Sequence, residues 1–181
     1  MKLFWAGLLV LLSASFCYAG GASVYKYDDL KFLIECPQNY EVKRMSGAYQ
    51  NTVGIVLSGS ADKRSFKPNV TISSAPNSNP PISLDRFFNL NLQNFLKDAN
   101  FKIVLAEKTK LGSKEVYQLR YKQKVAPKEG SKDKEVVAIE VLQVYVIEST
   151  RVYVINYSAT ASDFETYLAP ANEIFKSFKA I

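Results

Sequence analysis

Residues 136–147 are apolar on both alternating faces, and few folds accommodate such a segment. Side chains of an extended chain point alternately to opposite sides, so Val137, Ile139, Val141, Tyr145 and Ile147 share one face. Val136, Ala138, Leu142, Val144 and Val146 share the other. A strand of this kind is central in a sheet and covered on both sides. Glu140 is the one carboxylate among these apolar neighbours. It is expected to sit at a sheet edge open to water or to pair with a strand base such as Arg120, because an unpaired buried charge is costly. Ser149-Thr150 then reads as a turn, and residues 151–159 as a returning strand. Ser162-Asp163-Phe164-Glu165 has the spacing of a capping box, which predicts a helix start with Ser162 as N-cap. Phe164, Tyr167, Leu168, Ala171, Phe175 and Phe178 form the buried stripe of that helix. Pro170 removes a backbone donor, so the helix is expected either to kink near Leu168 or to begin with Pro170 in its first turn.

The layers that cover the central strand are also readable. Ser83, after the proline-rich run APNSNPPIS, is the natural N-cap of a helix over residues 84–97. Leu84, Phe87, Phe88, Leu92 and Phe95 recur at helical spacing and predict its core stripe, with Asp85, Asn89, Gln93 and Asn94 toward water. Residues 101–109 and 115–121 read as strands about a Leu111-Gly112-Ser113 turn, the second with Tyr117, Leu119 and Tyr121 on its apolar face. Residues 53–57 and 70–72 are two more strands, joined through the polar stretch 58–69. Nearer the N-terminus, residues 25–27 and 30–34 pair about an Asp28-Asp29 turn, aspartate tolerating the left-handed backbone that such turns require. Leu30, Phe32 and Ile34 then share a face, Cys36-Pro37-Gln38-Asn39 breaks the strand, and residues 40–42 resume it.

The first residues read as an export signal. Lys2 is a minimal positive region, LFWAGLLVLL over residues 3–12 is the apolar core, and Cys17-Tyr18-Ala19 places small residues before a cleavage site at Gly20. The apolar stretch to Phe16 is shorter than the roughly 18 residues a spanning helix needs. Acylation at Cys17 is the less favoured route, because Phe16 stands where lipoprotein processing wants a small residue. The expected organisation is a signal peptide over residues 1–19 and one domain over residues 20–181, periplasmic or extracellular. Cys36 is then the one cysteine retained, so the core holds without an internal disulfide.

Histidine is absent from all 181 residues, which excludes Ser-His-Asp and Cys-His catalysis, histidine zinc sites and histidine bases. The carboxylates are scattered without the spacing of a calcium loop. Gly54, Gly59 and Ser60 match half of a phosphate loop whose lysine is missing. The sequons at Asn69 and Asn156 fall within strand patterns. No enzyme activity, cofactor or metal is expected. Removing Lys2 with the signal leaves 22 basic against 17 acidic residues, too mild an excess for a nucleic-acid binder. Candidate partner contacts are the basic loop residues Lys63, Arg64, Lys67, Lys122, Lys124, Lys128, Lys132 and Lys134, with solubility alone as the plainer reading of the lysine-rich 122–134 run.

Residues 152–159 (VYVINYSA), Phe164-Glu165 with Tyr167-Leu168, and IFKSFK over residues 174–179 resemble the PsbP-like family, as does the opening Phe32, Cys36-Pro37 and Tyr40. That family includes the extrinsic PsbP subunit of photosystem II and DcrB-type envelope proteins. The resemblance spans about residues 25–179 and rests on core positions. It implies an α+β fold, an αβα sandwich whose mostly antiparallel sheet of about six strands is flanked by helices. It also implies a non-catalytic accessory role, with a protein partner at or near a membrane. The histidines on which part of PsbP's metal and chloride effects depend have no counterpart here. The alternative expectation is a small-ligand or lipid carrier with a pocket between sheet and helix, lined by Phe87, Phe95, Tyr117 or Tyr153.

Overall fold

The computed structural model describes residues 21–57, 66–125 and 136–181. Two antiparallel sheets and two helices make up the fold. In chain order they are β1 (Ala22–Tyr27), β2 (Phe32–Pro37), β3 (Glu41–Arg44), β4 (Thr52–Val56), β5 (Asn69–Pro76), α1 (Leu84–Lys97), β6 (Phe101–Leu111), β7 (Lys114–Val125), β8 (Val137–Ile147), β9 (Arg151–Thr160), α2 (Phe164–Ser177) and β10 (Lys179–Ala180). The large sheet runs β3-β4-β5-β9-β8-β7-β6, and the small one β1-β2-β10. The large sheet thus has seven strands where about six were expected. Short β3 pairs with β4 at one end of the sheet, and long β6 with β7 at the other.

β8 lies between β7 and β9, as its two-faced pattern requires. Ile139, Val141 and Tyr145 are buried with Leu119, Tyr121 and Phe88 on one side of the sheet. Leu142, Val144 and Val146 are buried on the other, with Phe32, Ile34, Tyr153, Phe164 and Phe175. α1 covers the first side over β6, β7 and β8, while α2 packs on β9 and β2. The αβα arrangement follows, with the small sheet sharing the α2 layer.

Ser83 caps α1 as its sequence predicts, its hydroxyl accepting the Arg86 amide at 3.3 Å. Of the α1 stripe only Phe88 is fully buried, stacked on Tyr117 at 4.1 Å between ring centres. The α2 start differs from its expected capping box. Asp163, not Ser162, precedes the helix, and no side chain caps it. The Ser162 hydroxyl bonds Thr160 instead, and the Glu165 carboxylate reaches Arg120 at 2.6 Å. A charged tertiary partner outcompetes the local backbone donor. Pro170 lies inside one helix, Phe164–Ser177, so the helix does not begin with Pro170 in its first turn. Packing accounts for this: Ala171, Ile174 and Phe175, just beyond Pro170, are buried against the sheet. Ile174 was missing from the expected stripe.

In the β1–β2 turn the left-handed residue is Lys31, at φ 60°, and neither Asp28 nor Asp29. The reason is tertiary, because the Lys31 carbonyl accepts both the Tyr153 hydroxyl at 2.7 Å and the Ile181 amide at 3.0 Å. Gly112, at φ 62°, supplies the left-handed position between β6 and β7 without the steric cost of a side chain.

Candidate functional site

Three of the eight basic candidates fall among the described residues. Lys67 leads into β5, and Lys122 and Lys124 lie near the end of β7. Lys63, Arg64, Lys128, Lys132 and Lys134 lie outside the described residues. The antiparallel registers bring the start of β5, the end of β7 and the start of β6 to one end of the large sheet. Lys102 joins the group there, standing directly opposite Lys122 in the β6–β7 ladder. Like charges in that position repel, so the pair lowers stability unless an anion lies on it. Lys122 also reaches the Glu140 carboxylate at 3.4 Å. Sequence reasoning missed Lys102, because only the register places it beside Lys122.

Glu140 is 3% exposed and pairs with Arg120, the second of the two expected outcomes. The Arg120 Nε donates to it at 2.5 Å, and the Arg120 Nη2 donates to Glu165 at 2.6 Å. The guanidinium also lies 4.3 Å from the Phe164 ring centre. Burial works against the Arg120 charge, and hydrogen bonds to Glu165 and Glu140 outweigh it, holding the group above its ordinary range. One cation thus ties β7, β8 and the first turn of α2 together. Every charge in the set is matched, so the cluster reads as structural.

Among the described residues no group of three histidine, cysteine or acidic side chains is placed to hold a metal. Cys36 is fully buried, and burial pushes its thiol up to about 11. It is protonated and inert at neutral pH. The sign of its linkage is definite. Above pH 9 the thiol ionises in the unfolded chain while the native one stays protonated, so stability falls as pH rises from 9 to 11. The expected loss is about 2–3 kcal/mol. Urea titrations across this range test it, and Cys36→Ala should make the slope shallower between pH 9 and 10, below the range where the buried, raised Tyr121, Tyr145 and Tyr157 add a loss of the same sign. An unchanged slope would show that Cys36 does not set it.

Side chains named for a carrier pocket pack on neighbouring rings among the described residues. Phe87 meets Tyr145 edge-on at 6.0 Å, Phe95 packs on Tyr121 and Phe101, and Tyr153 packs on Phe32 and Phe178. A shallower cleft of about 410 Å³ opens on the other face. It exists because α2 leans on β9 and β2 and leaves β6 and β7 uncovered at its C-terminal end. Its floor is apolar (Val116, Leu142, Val144 and Phe175), while Thr109 and Lys176 form part of its rim. Periodicity could not reveal the cleft, which depends on where α2 comes to rest.

A seven-stranded antiparallel sheet between α1 and an α2 layer defines a PsbP-like fold. In particular, the chain matches the solution structure of cyanobacterial PsbP (CyanoP) from Synechocystis sp. PCC 6803 with a TM-score of 0.62. The match covers 94% of this chain and 99% of that one at 12% identity. LpqN, involved in cell envelope biogenesis of Mycobacterium tuberculosis, matches at 0.60 and 15% identity, over 88% of this chain and 90% of its own. The Ran-binding protein Mog1p of Saccharomyces cerevisiae matches at 0.51 and 9% identity, over 90% and 96%. At these identities the likeness is one of fold. No family model matches the sequence, and no curated protein matches it.

Proposed function

We propose that this chain is an exported, non-catalytic accessory protein that binds a protein complex, or another envelope component, at or near a membrane. The observation that carries this reading is the end of the large sheet that bears Lys102, Lys122 and Lys124 on β6 and β7, with Lys67 entering β5 at the same end. Within it, Lys102 and Lys122 face each other across a ladder, an arrangement that an anionic partner would relieve. Three further points support it. The first 19 residues have the organisation of a signal peptide. Among the described residues no helix is long and apolar enough to cross a membrane. The fold neighbours include an envelope-biogenesis protein and a Ran-binding protein. The ring contacts of Phe87 and Phe95 beneath α1 favour this reading over a carrier.

The test is recovery of partners from solubilised envelope membranes on the immobilised mature chain, whose N-terminus should read Gly20. Lys67→Glu, Lys102→Glu and Lys124→Glu are combined as the variant, sparing Lys122 because it helps neutralise Glu140. The expected outcome is a specific partner whose recovery drops about tenfold in the variant or in high salt, with the thermal midpoint unchanged. Recovery of no partner at either low or high salt, or equal recovery by the variant, would overturn the reading.

A further inference from the structure

The structure holds an incomplete sheet beside an apolar cleft. Among the described residues β6 ends the large sheet and is hydrogen-bonded on one side only, to β7. Its other edge presents unpaired backbone donors and acceptors, a template for another strand. A register shift between Ile103 and Leu105 interrupts the first part of β6. Bulges of this kind twist an edge away from pairing. From Leu105 to Leu111 the register is unbroken, long enough for an ordinary strand to pair.

The two faces of this stretch differ. Leu105, Glu107, Thr109 and Leu111 stand opposite Arg120, Gln118, Val116 and Lys114, on the α2 side, and Thr109 and Leu111 border the cleft. Ala106, Lys108 and Lys110 stand opposite Leu119, Tyr117 and Glu115, on the α1 side. We propose that β6 accepts an extended segment of a protein partner as an eighth strand, apolar side chains entering the cleft and acidic ones meeting Lys110 and Lys108, the latter already shared with Glu115 at 3.2 Å and Asp85 at 3.7 Å. In such strand addition the backbone supplies affinity, and pockets for alternate side chains supply specificity. This inference rests on the accessory reading above and names a docking surface for its partner.

A second copy of the chain is a poor occupant. Antiparallel pairing of β6 with itself, α2 faces together, puts Lys108 against Lys108 or Lys110, or Glu107 against Glu107, in each register overlapping the middle of the stretch. Like charges directly opposite one another destabilise a ladder. A segment alternating apolar and acidic residues avoids the clash.

The probe is a capped seven-residue peptide alternating valine and glutamate, added to the full mature chain. Its addition should slow hydrogen exchange about tenfold at alternate amides between Leu105 and Leu111. A valine–lysine version should bind about tenfold more weakly, as should the glutamate peptide to Lys108→Glu/Lys110→Glu. Unchanged exchange in β6, protection elsewhere, or equal binding of the two peptides would overturn the proposal. A photo-crosslinker at Thr109 or at Lys124, in cells, separates the two levels of inference. Capture of one partner from both positions agrees with strand addition. Capture from Lys124 alone overturns the β6 site and leaves the accessory reading standing, while capture from neither overturns both.

Discussion

Phe32→Ala is expected to remove about 3–5 kcal/mol of stability, the range for truncating a fully buried aromatic. Phe32 is 0% exposed and joins three parts of the fold. Its ring lies 5.2 Å from Tyr27 in the small sheet, 6.2 Å from Tyr153 in the large one and 5.7 Å from Phe178 after α2. No single neighbour can fill the void, because each is anchored to a different element. Since whole-domain stability is typically 5–15 kcal/mol, the variant should be near its threshold. Urea unfolding with a Val24→Ala control measures this, Val24 being 65% exposed and worth within about 0.5 kcal/mol. A loss below about 1 kcal/mol in the Phe32 variant would mean that the small sheet contributes little to the fold.

Arg120→Met should cost about 2–4 kcal/mol, since it leaves Glu140 buried with only Lys122 at 3.4 Å to balance it. Most of that cost is an uncompensated charge and not a lost attraction. Arg120→Met combined with Glu140→Leu should therefore recover most of the loss, because a well-packed apolar pair substitutes for a buried ion pair at little cost. Additive losses in the double variant would refute this account and assign the effect to packing of the Arg120 stem on Phe164.

These expectations rest on elements that differed in how far sequence disclosed them. The position of β8 was legible because burial on both faces leaves a pattern that no turn or partner can alter. Ser83 was legible because its cap is local, involving residues three apart. Ser162 and Glu165 had the same kind of local signal and did not form the box, since Arg120, 45 residues earlier in the chain, offers Glu165 a stronger partner. The left-handed backbone at Lys31 was likewise decided by Tyr153 and Ile181, which only the folded chain brings near. The lysine-bearing end was partly visible as composition. Lys102 and the α2-side cleft were not, because register and helix placement are tertiary outcomes that no window of neighbouring residues contains.

The pairing of β5 with β9 has a consequence for how the molecule is made. Strands β3 to β5 form one meander and β6 to β9 another, and the two are joined into one sheet only where Asn69–Pro76 meets Arg151–Ser158. The small sheet is finished in the same way, when Lys179 and Ala180 reach β2. Both closures wait for residues beyond Arg151, and contacts so distant along the chain form slowly. During synthesis the N-terminal meander therefore stays an open, unsealed half with β5 as a bare edge. A chain built this way completes both sheets only when residues from Arg151 onward are available.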